Sequence, residues 1–195
     1  MSRPSKPDWG AFALVEDDAP FRLIWRSYGQ QKTGKNHFGF TAPGPIAGLY
    51  FDPGGIEGVA QQFRRAPLGP KEIRMKQYRF NKHKMGRSEA VDIRGQFEED
   101  YDVALRNART IQIDESELWS VYRWAEFDDE SDAPKEYSQL YARYRTIVQD
   151  AYDANVNLQL IQKVKEKWEN VTKTDRNGMA KEVGRPSGEF EPYGM

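Results

Sequence analysis

Eight residues restrict the possible folds more than any other part of the chain: Gly29-Gln30-Gln31-Lys32-Thr33-Gly34-Lys35-Asn36. They follow without a break from Phe21-Arg22-Leu23-Ile24-Trp25-Arg26-Ser27-Tyr28, an aromatic and aliphatic run that predicts a short strand. A short helix is expected after them, to about Ala42, because Pro43-Gly44-Pro45 cannot continue it. In such a strand–turn–helix, glycines let backbone N–H groups wrap a phosphate, and the lysine after the second glycine reaches the outer oxygens. The hydroxyl residue that usually follows and ligates Mg²⁺ is Asn36 here, followed by His37. Asn36 offers an amide oxygen instead. The same residues also read as a glycine-rich turn bearing a surface lysine.

The remaining chain continues an alternation of strands and helices. Strands are predicted at Ile46–Phe51, Ile73–Phe80 (an edge strand), Arg109–Asp114 and Val156–Ile161. Helices are predicted at Ile56–Phe63, Glu89–Ala108, Leu118–Phe127 and Tyr137–Ala154. The last has Leu140, Tyr144, Ile147, Val148 and Ala151 at helical spacing. This order implies an α/β fold with a mostly parallel sheet and helices on both faces. Three segments divide the chain: an extended, proline-containing arm at 1–19, one domain at 20–169 and a polar, glycine- and proline-rich tail at 170–195, expected to be mobile.

Composition narrows the chemistry. The absence of cysteine removes disulfides, thiolate metal sites and cysteine nucleophiles, and two histidines are too few for a histidine-based metal site. The net charge of -1 means that nucleic acid, if bound, must meet a local basic patch. No apolar run approaches a membrane span, and the polar N-terminus does not resemble a signal peptide, so a soluble, cytoplasmic chain is expected.

Parallel sheets bind ligands at the carboxyl ends of their strands, and two further polar residues are predicted there. Asp114 closes an apolar strand, where an acidic side chain organises Mg²⁺; it also reads as an N-cap for the next helix. Gln162 follows Val156–Ile161, where a polar side chain senses a γ-phosphate; an ordinary strand-end glutamine is the alternative. Two stretches suit nucleic acid. One, around Lys76, Arg79, Lys82 and Lys84, interleaves cations with Tyr78 and Phe80. Its lysines equally suit an edge strand that resists pairing with another chain. The other is Lys163, Lys165, Lys167 and Trp168.

Four collinear stretches over roughly residues 22–170 resemble the AAA-type, RecA-like P-loop ATPases of phage genomes, some of which act in single-strand annealing and recombination. They are Gly34-Lys35 to His37-Phe38 with Thr41-Ala42-Pro43-Gly44-Pro45-Ile46; Phe51-Asp52-Pro53-Gly54-Gly55-Ile56-Glu57-Gly58-Val59; Arg109-Thr110-Ile111-Gln112-Ile113-Asp114 with Glu117-Leu118-Trp119; and Ala151-Tyr152 with Asn157-Leu158 to Lys163 and Trp168. The resemblance implies a RecA-like P-loop NTPase core in which the Asp114 strand is not adjacent to the phosphate-loop strand. It implies ATP and Mg²⁺ as ligands, a homo-oligomeric ring or filament, and a single-stranded-DNA-binding segment at 163–188 after the sensor strand. Lys35 becomes the phosphate lysine, Asp114 the Mg²⁺-organising aspartate and Gln162 the sensor. The chain departs from that pattern at Asn36, and at Gly54 and Gly55, where a water-activating glutamate is expected. Glu57 and Glu115 are the carboxylates left for that role. A non-hydrolysing nucleotide-binding or structural protein with a degenerate loop is the alternative.

Overall fold

In the computed structural model, residues 22–30, 33–51, 56–64, 71–80, 85–127, 137–174 and 180–192 are described. The arm at 1–19, the acidic loop at 128–134, and Gln31, Lys32, Lys82 and Lys84 lie outside them. The elements in chain order are β1 (Ile24–Gly29), α1 (Lys35–Gly39), β2 (Ile46–Tyr50), α2 (Ile56–Arg64), β3 (Ile73–Gln77), α3 (Arg87–Asn107), β4 (Thr110–Asp114), α4 (Glu115–Glu126), α5 (Tyr137–Asp153), β5 (Asn157–Thr174) and β6 (Ala180–Pro192).

Five strands form an all-parallel sheet in the order β1-β5-β4-β2-β3. The chain is therefore α/β with a parallel sheet, as the alternation predicts. β5 lies between β1 and β4, so the Asp114 strand does not touch the phosphate-loop strand. β3 is an edge, paired with β2.

Alternation along the strands divides the core in two. Leu49, Phe51, Ile111, Ile113, Leu158 and Leu160 pack with residues of α3, α4 and α5. Ile46, Tyr50 and Ile161 pack instead with Phe40, the C-cap of α1, and with Ala60 and Phe63 of α2. Helices thus cover both faces. α3 buries Ala90, Ile93, Phe97, Tyr101 and Ala104, a three- and four-residue spacing that draws one stripe along the helix. Phe97 is a hub, with its ring 5.9 Å from those of Phe51 and Tyr101 and 6.3 Å from that of Tyr122. Polar clamps join the helices on that face: Arg94 Nη1 lies 2.6 Å and Arg143 Nη2 2.9 Å from Glu126 Oε1.

Several boundaries differ from expectation; β3, for one, ends at Gln77 rather than Phe80. α1 ends at Gly39, and Lys71 holds the chain beyond it, donating to the carbonyls of Phe40, Thr41 and Ala42 at 3.0, 2.7 and 2.9 Å. α4 begins at Glu115 rather than Leu118, with Glu115 and Glu117 in its first turn, where carboxylates are favoured. The largest difference is at the C-terminal end. β5 was expected to stop at Ile161, yet it continues to Thr174 and pairs antiparallel with β6. The described parts of the expected tail at 170–195 are strands of a ribbon, because two polar segments supply each other's backbone partners without needing an apolar core.

Candidate phosphate-binding site

The site forms where β1 and β4 end on either side of β5. Gly34 sits at the N-cap of α1 with φ 84°, a left-handed conformation that costs a side-chain-bearing residue about 1 kcal/mol or more. That turn reverses the chain so that Lys35 folds back over the loop. Its Nζ donates to the carbonyls of Gly29 at 2.7 Å and Gln30 at 2.6 Å, and Thr33 Oγ1 closes the turn on Gln30 O at 2.9 Å. Burial lowers the Lys35 pKa below the ordinary lysine value; Asp114 opposes that shift and Lys163 adds to it. The two loop residues Gln31 and Lys32 lie outside the described residues.

A buried polar layer fixes α1 over the strands. Gln159 Nε2 donates to Ser27 Oγ at 2.6 Å and to Lys35 O at 3.2 Å. Gln112 is the register partner of Gln159 and accepts from the Tyr50 hydroxyl. Side chains on β1, β5, β4 and β2 therefore form one band under the helix. Gly39 rests on it directly: a Cβ there would overlap Gln159 Oε1 and Gln112 Nε2. No sequence signal marked Gln112 or Gln159, because a glutamine inside an apolar run reads as an interruption until its strand neighbours are known.

Asp114 is 5% exposed at the end of β4. It occupies the N-cap position of α4, but its side chain makes no capping hydrogen bond. Gln162, 2% exposed, lies on the intervening β5 opposite Tyr28, one residue beyond the rung that pairs Asp114 with Ile161. Lys163 follows, with Nζ 3.0 Å from Glu117 Oε1 and 4.0 Å from Asp114 Oδ2. Asp114 and Gln162 thus lie on adjacent strands, and Lys35, at the start of the helix that follows β1, is near enough to Asp114 to feel its charge. Asn36 fits a cation: its Oδ1 is buried and has no hydrogen-bond partner among the described residues. Asn36 and Asp114 are the residues that would hold Mg²⁺. Among the described residues no group of three His, Cys, Asp or Glu side chains is placed to hold a metal ion.

The two candidate bases diverge. Glu115 is buried and ion-paired with Arg26 of β1, while Tyr144 donates to its backbone carbonyl at 2.8 Å. Burial raises the Glu115 pKa and Arg26 opposes the rise. Its carboxylate is engaged on the α4 side of the sheet. Glu57 is exposed at the start of α2, and His37 is exposed with its ring 4.7 Å from Phe63. The nucleic-acid candidates also separate. Lys76 lies on the β3 edge, 3.4 Å from Asp100, and Arg79 is exposed just beyond that strand. Lys163, Lys165, Lys167 and Trp168 all lie on β5, the last three in its ribbon portion. A cavity of about 500 Å³ opens between β2, β3 and α3, lined by Arg74, Lys76, Asp100 and Asn107 and by none of the phosphate-loop residues.

The fold and site define a class: an α/β protein whose parallel sheet presents a lysine-bearing glycine turn, an aspartate and a glutamine at one end. Beyond that class, no protein-family model matches the sequence and no curated protein matches it. Among the described residues no helix is long and apolar enough to cross a membrane.

Proposed function

We propose that this chain is a RecA-like P-loop protein, phage-encoded and working in the host cytoplasm, that binds ATP with Mg²⁺ and acts on single-stranded DNA in recombination or annealing. The observation that carries this reading is the placement of the Lys35 turn after β1 and of Asp114 at the end of β4, on either side of the β5 stretch that holds Gln162. The loop from Gly29 to His37 would cradle the phosphates, and Lys35 would exchange the carbonyls of Gly29 and Gln30 for phosphate oxygens. Bound Mg²⁺ supplies charge neutralisation at the outer phosphates. Asp114, buried beside Lys163, orients the ion's water, and Gln162 reports occupancy to the ribbon that follows it. Ring or filament assembly and DNA contact through Lys163, Lys165, Lys167 and Trp168 belong to the same reading.

One observation favours a second reading, nucleotide binding without hydrolysis. Glu115 is committed to Arg26, which leaves the exposed Glu57 as the remaining candidate base, and a base must reach the attacking water. Calorimetry with Mg²⁺-ATP tests the shared core of both readings. The wild type is expected to bind and Lys35→Ala to lose at least about tenfold in affinity. A wild type that binds no ATP, with or without single-stranded DNA, overturns both. Phosphate release by a binding-competent wild type then separates them.

A further inference from the structure

β5 changes partner at Lys163. This residue is the last rung against β1, opposite Gly29, the first residue of the phosphate loop. The next residue, Val164, is the first rung against β6, opposite Pro192. Sheet and ribbon therefore meet at one backbone position, and α4 grips it. The Lys163 N–H donates to Ser116 Oγ at 2.8 Å, and its ammonium reaches Glu117 and Asp114.

Three buried carboxylates cluster around this position. Asp114, Glu115 and Glu117 are 5%, 4% and 1% exposed within four consecutive residues. Arg26 pairs with Glu115, while Lys163 is shared between Glu117 and Asp114. Buried carboxylates bind whichever cation offers the best geometry, because solvent does not screen them. A divalent cation near Asp114 would compete with the Lys163 ammonium, and phosphate on the loop beside Lys35 would attract it. The first effect removes the Lys163–Asp114 contact, and the second draws the freed ammonium away from Glu117.

We propose that Lys163 is a positioning residue that leaves Glu117 for the terminal phosphate when nucleotide fills the loop, and so moves the base of the β5–β6 ribbon. This rests on the nucleotide-binding reading above and deepens it by assigning the mechanical link. Gln162 is buried in the sheet, whereas Lys163 carries a charge that nucleotide must perturb. Its main chain begins the ribbon, so a change of side-chain partner is transmitted without an intervening loop.

The lack of native cysteine allows a single fluorescent label at Lys173→Cys on the ribbon. The label is read with a non-hydrolysable ATP analogue and Mg²⁺, at concentrations that calorimetry shows to be saturating for each protein. The labelled parent is expected to change anisotropy on saturation. Lys163→Met, saturated equally, is expected to show no change. Glu117→Gln, which releases the ammonium, is expected to give the nucleotide-like signal before nucleotide is added. It also provides the test if Lys163→Met does not fold by circular dichroism. A parent that binds nucleotide without a label response overturns the link and leaves the nucleotide reading standing. A Lys163→Met protein that responds like the parent, or a Glu117→Gln protein with the parent's unliganded signal, also overturns it. Absence of nucleotide binding by calorimetry overturns both.

Discussion

The two faces of this sheet are made from the same strands, yet they are built on different principles. Residues 47, 49, 111, 113, 158 and 160 point into an apolar and aromatic layer under α3, α4 and α5. Residues 27, 112 and 159, one position out of phase, form a hydrogen-bonded polar band under α1, joined by Tyr50. On the first face burial of apolar and aromatic side chains provides stability, and the cavity on that side, between β2, β3 and α3, lies away from the glycine turn. On the second, small residues and amides bring a helix close and hold Lys35 O in place. The difference teaches that stability and placement of the loop are assigned to opposite sides of one sheet, and that a substitution affects one far more than the other.

The largest test of that division is Phe97→Ala. Phe97 is fully buried at the aromatic hub, and its loss is expected to lower the unfolding free energy by about 3–5 kcal/mol. Denaturant titration measures this. Nucleotide affinity of the folded fraction is expected to stay the same, and a parallel fall in both would break the separation of the faces. Next in size comes a pair of identical substitutions. Gly39→Ala forces a methyl into the Gln112–Gln159 band, and overpacking of this kind costs about 1–3 kcal/mol. It also shifts α1, so Mg²⁺-ATP affinity is expected to fall by about tenfold. Gly95→Ala on α3 meets open space and is expected to stabilise by about 0.5–1 kcal/mol. Opposite signs for one added methyl would sharpen the comparison; equal signs would break it.

Much of this architecture was legible in the sequence, for physical reasons that differ by element. α3 and α5 announce themselves because their apolar residues recur every three or four positions, which only a helix converts into one face. β1, β2 and β4 are short apolar runs bounded by Gly, Pro or Asp, so their existence and the parallel α/β class follow. Lys35 was visible because it follows a glycine turn, and Asp114 because it closes such a run. The polar band was not, since Gln112 and Gln159 acquire meaning only from strand register. Nor was the Arg26–Glu115 pair, which joins residues 89 positions apart. The ribbon escaped notice because local apolar pattern does not encode pairing between two polar strands; its hydrogen bonds come from the partner.

The smallest effect expected separates the faces by pH. On the α1 side the Lys35 pKa is depressed by burial, so its charge is lost at lower pH than for an ordinary lysine at 10.5. Phosphate binding favours the charged form, and affinity must therefore fall as pH rises through the depressed value, by at most about tenfold per pH unit. Lys35→Arg keeps its charge throughout and should flatten that dependence. On the α3 side the relevant groups are Tyr78, Tyr122 and Tyr144, whose phenols burial pushes upward. The unfolded chain ionises them near pH 10 while the folded chain keeps the protons. Unfolding thus binds fewer protons, and stability is full below that pH and declines above it. Raising the pH should weaken nucleotide binding and lower the melting temperature, and Lys35→Arg should flatten the first without changing the second. Calorimetry and thermal melts on one pH series measure both. If Lys35→Arg leaves the pH dependence of the affinity unchanged, Lys35 is not the group that governs binding, and the division of labour between the two faces fails at its most sensitive point.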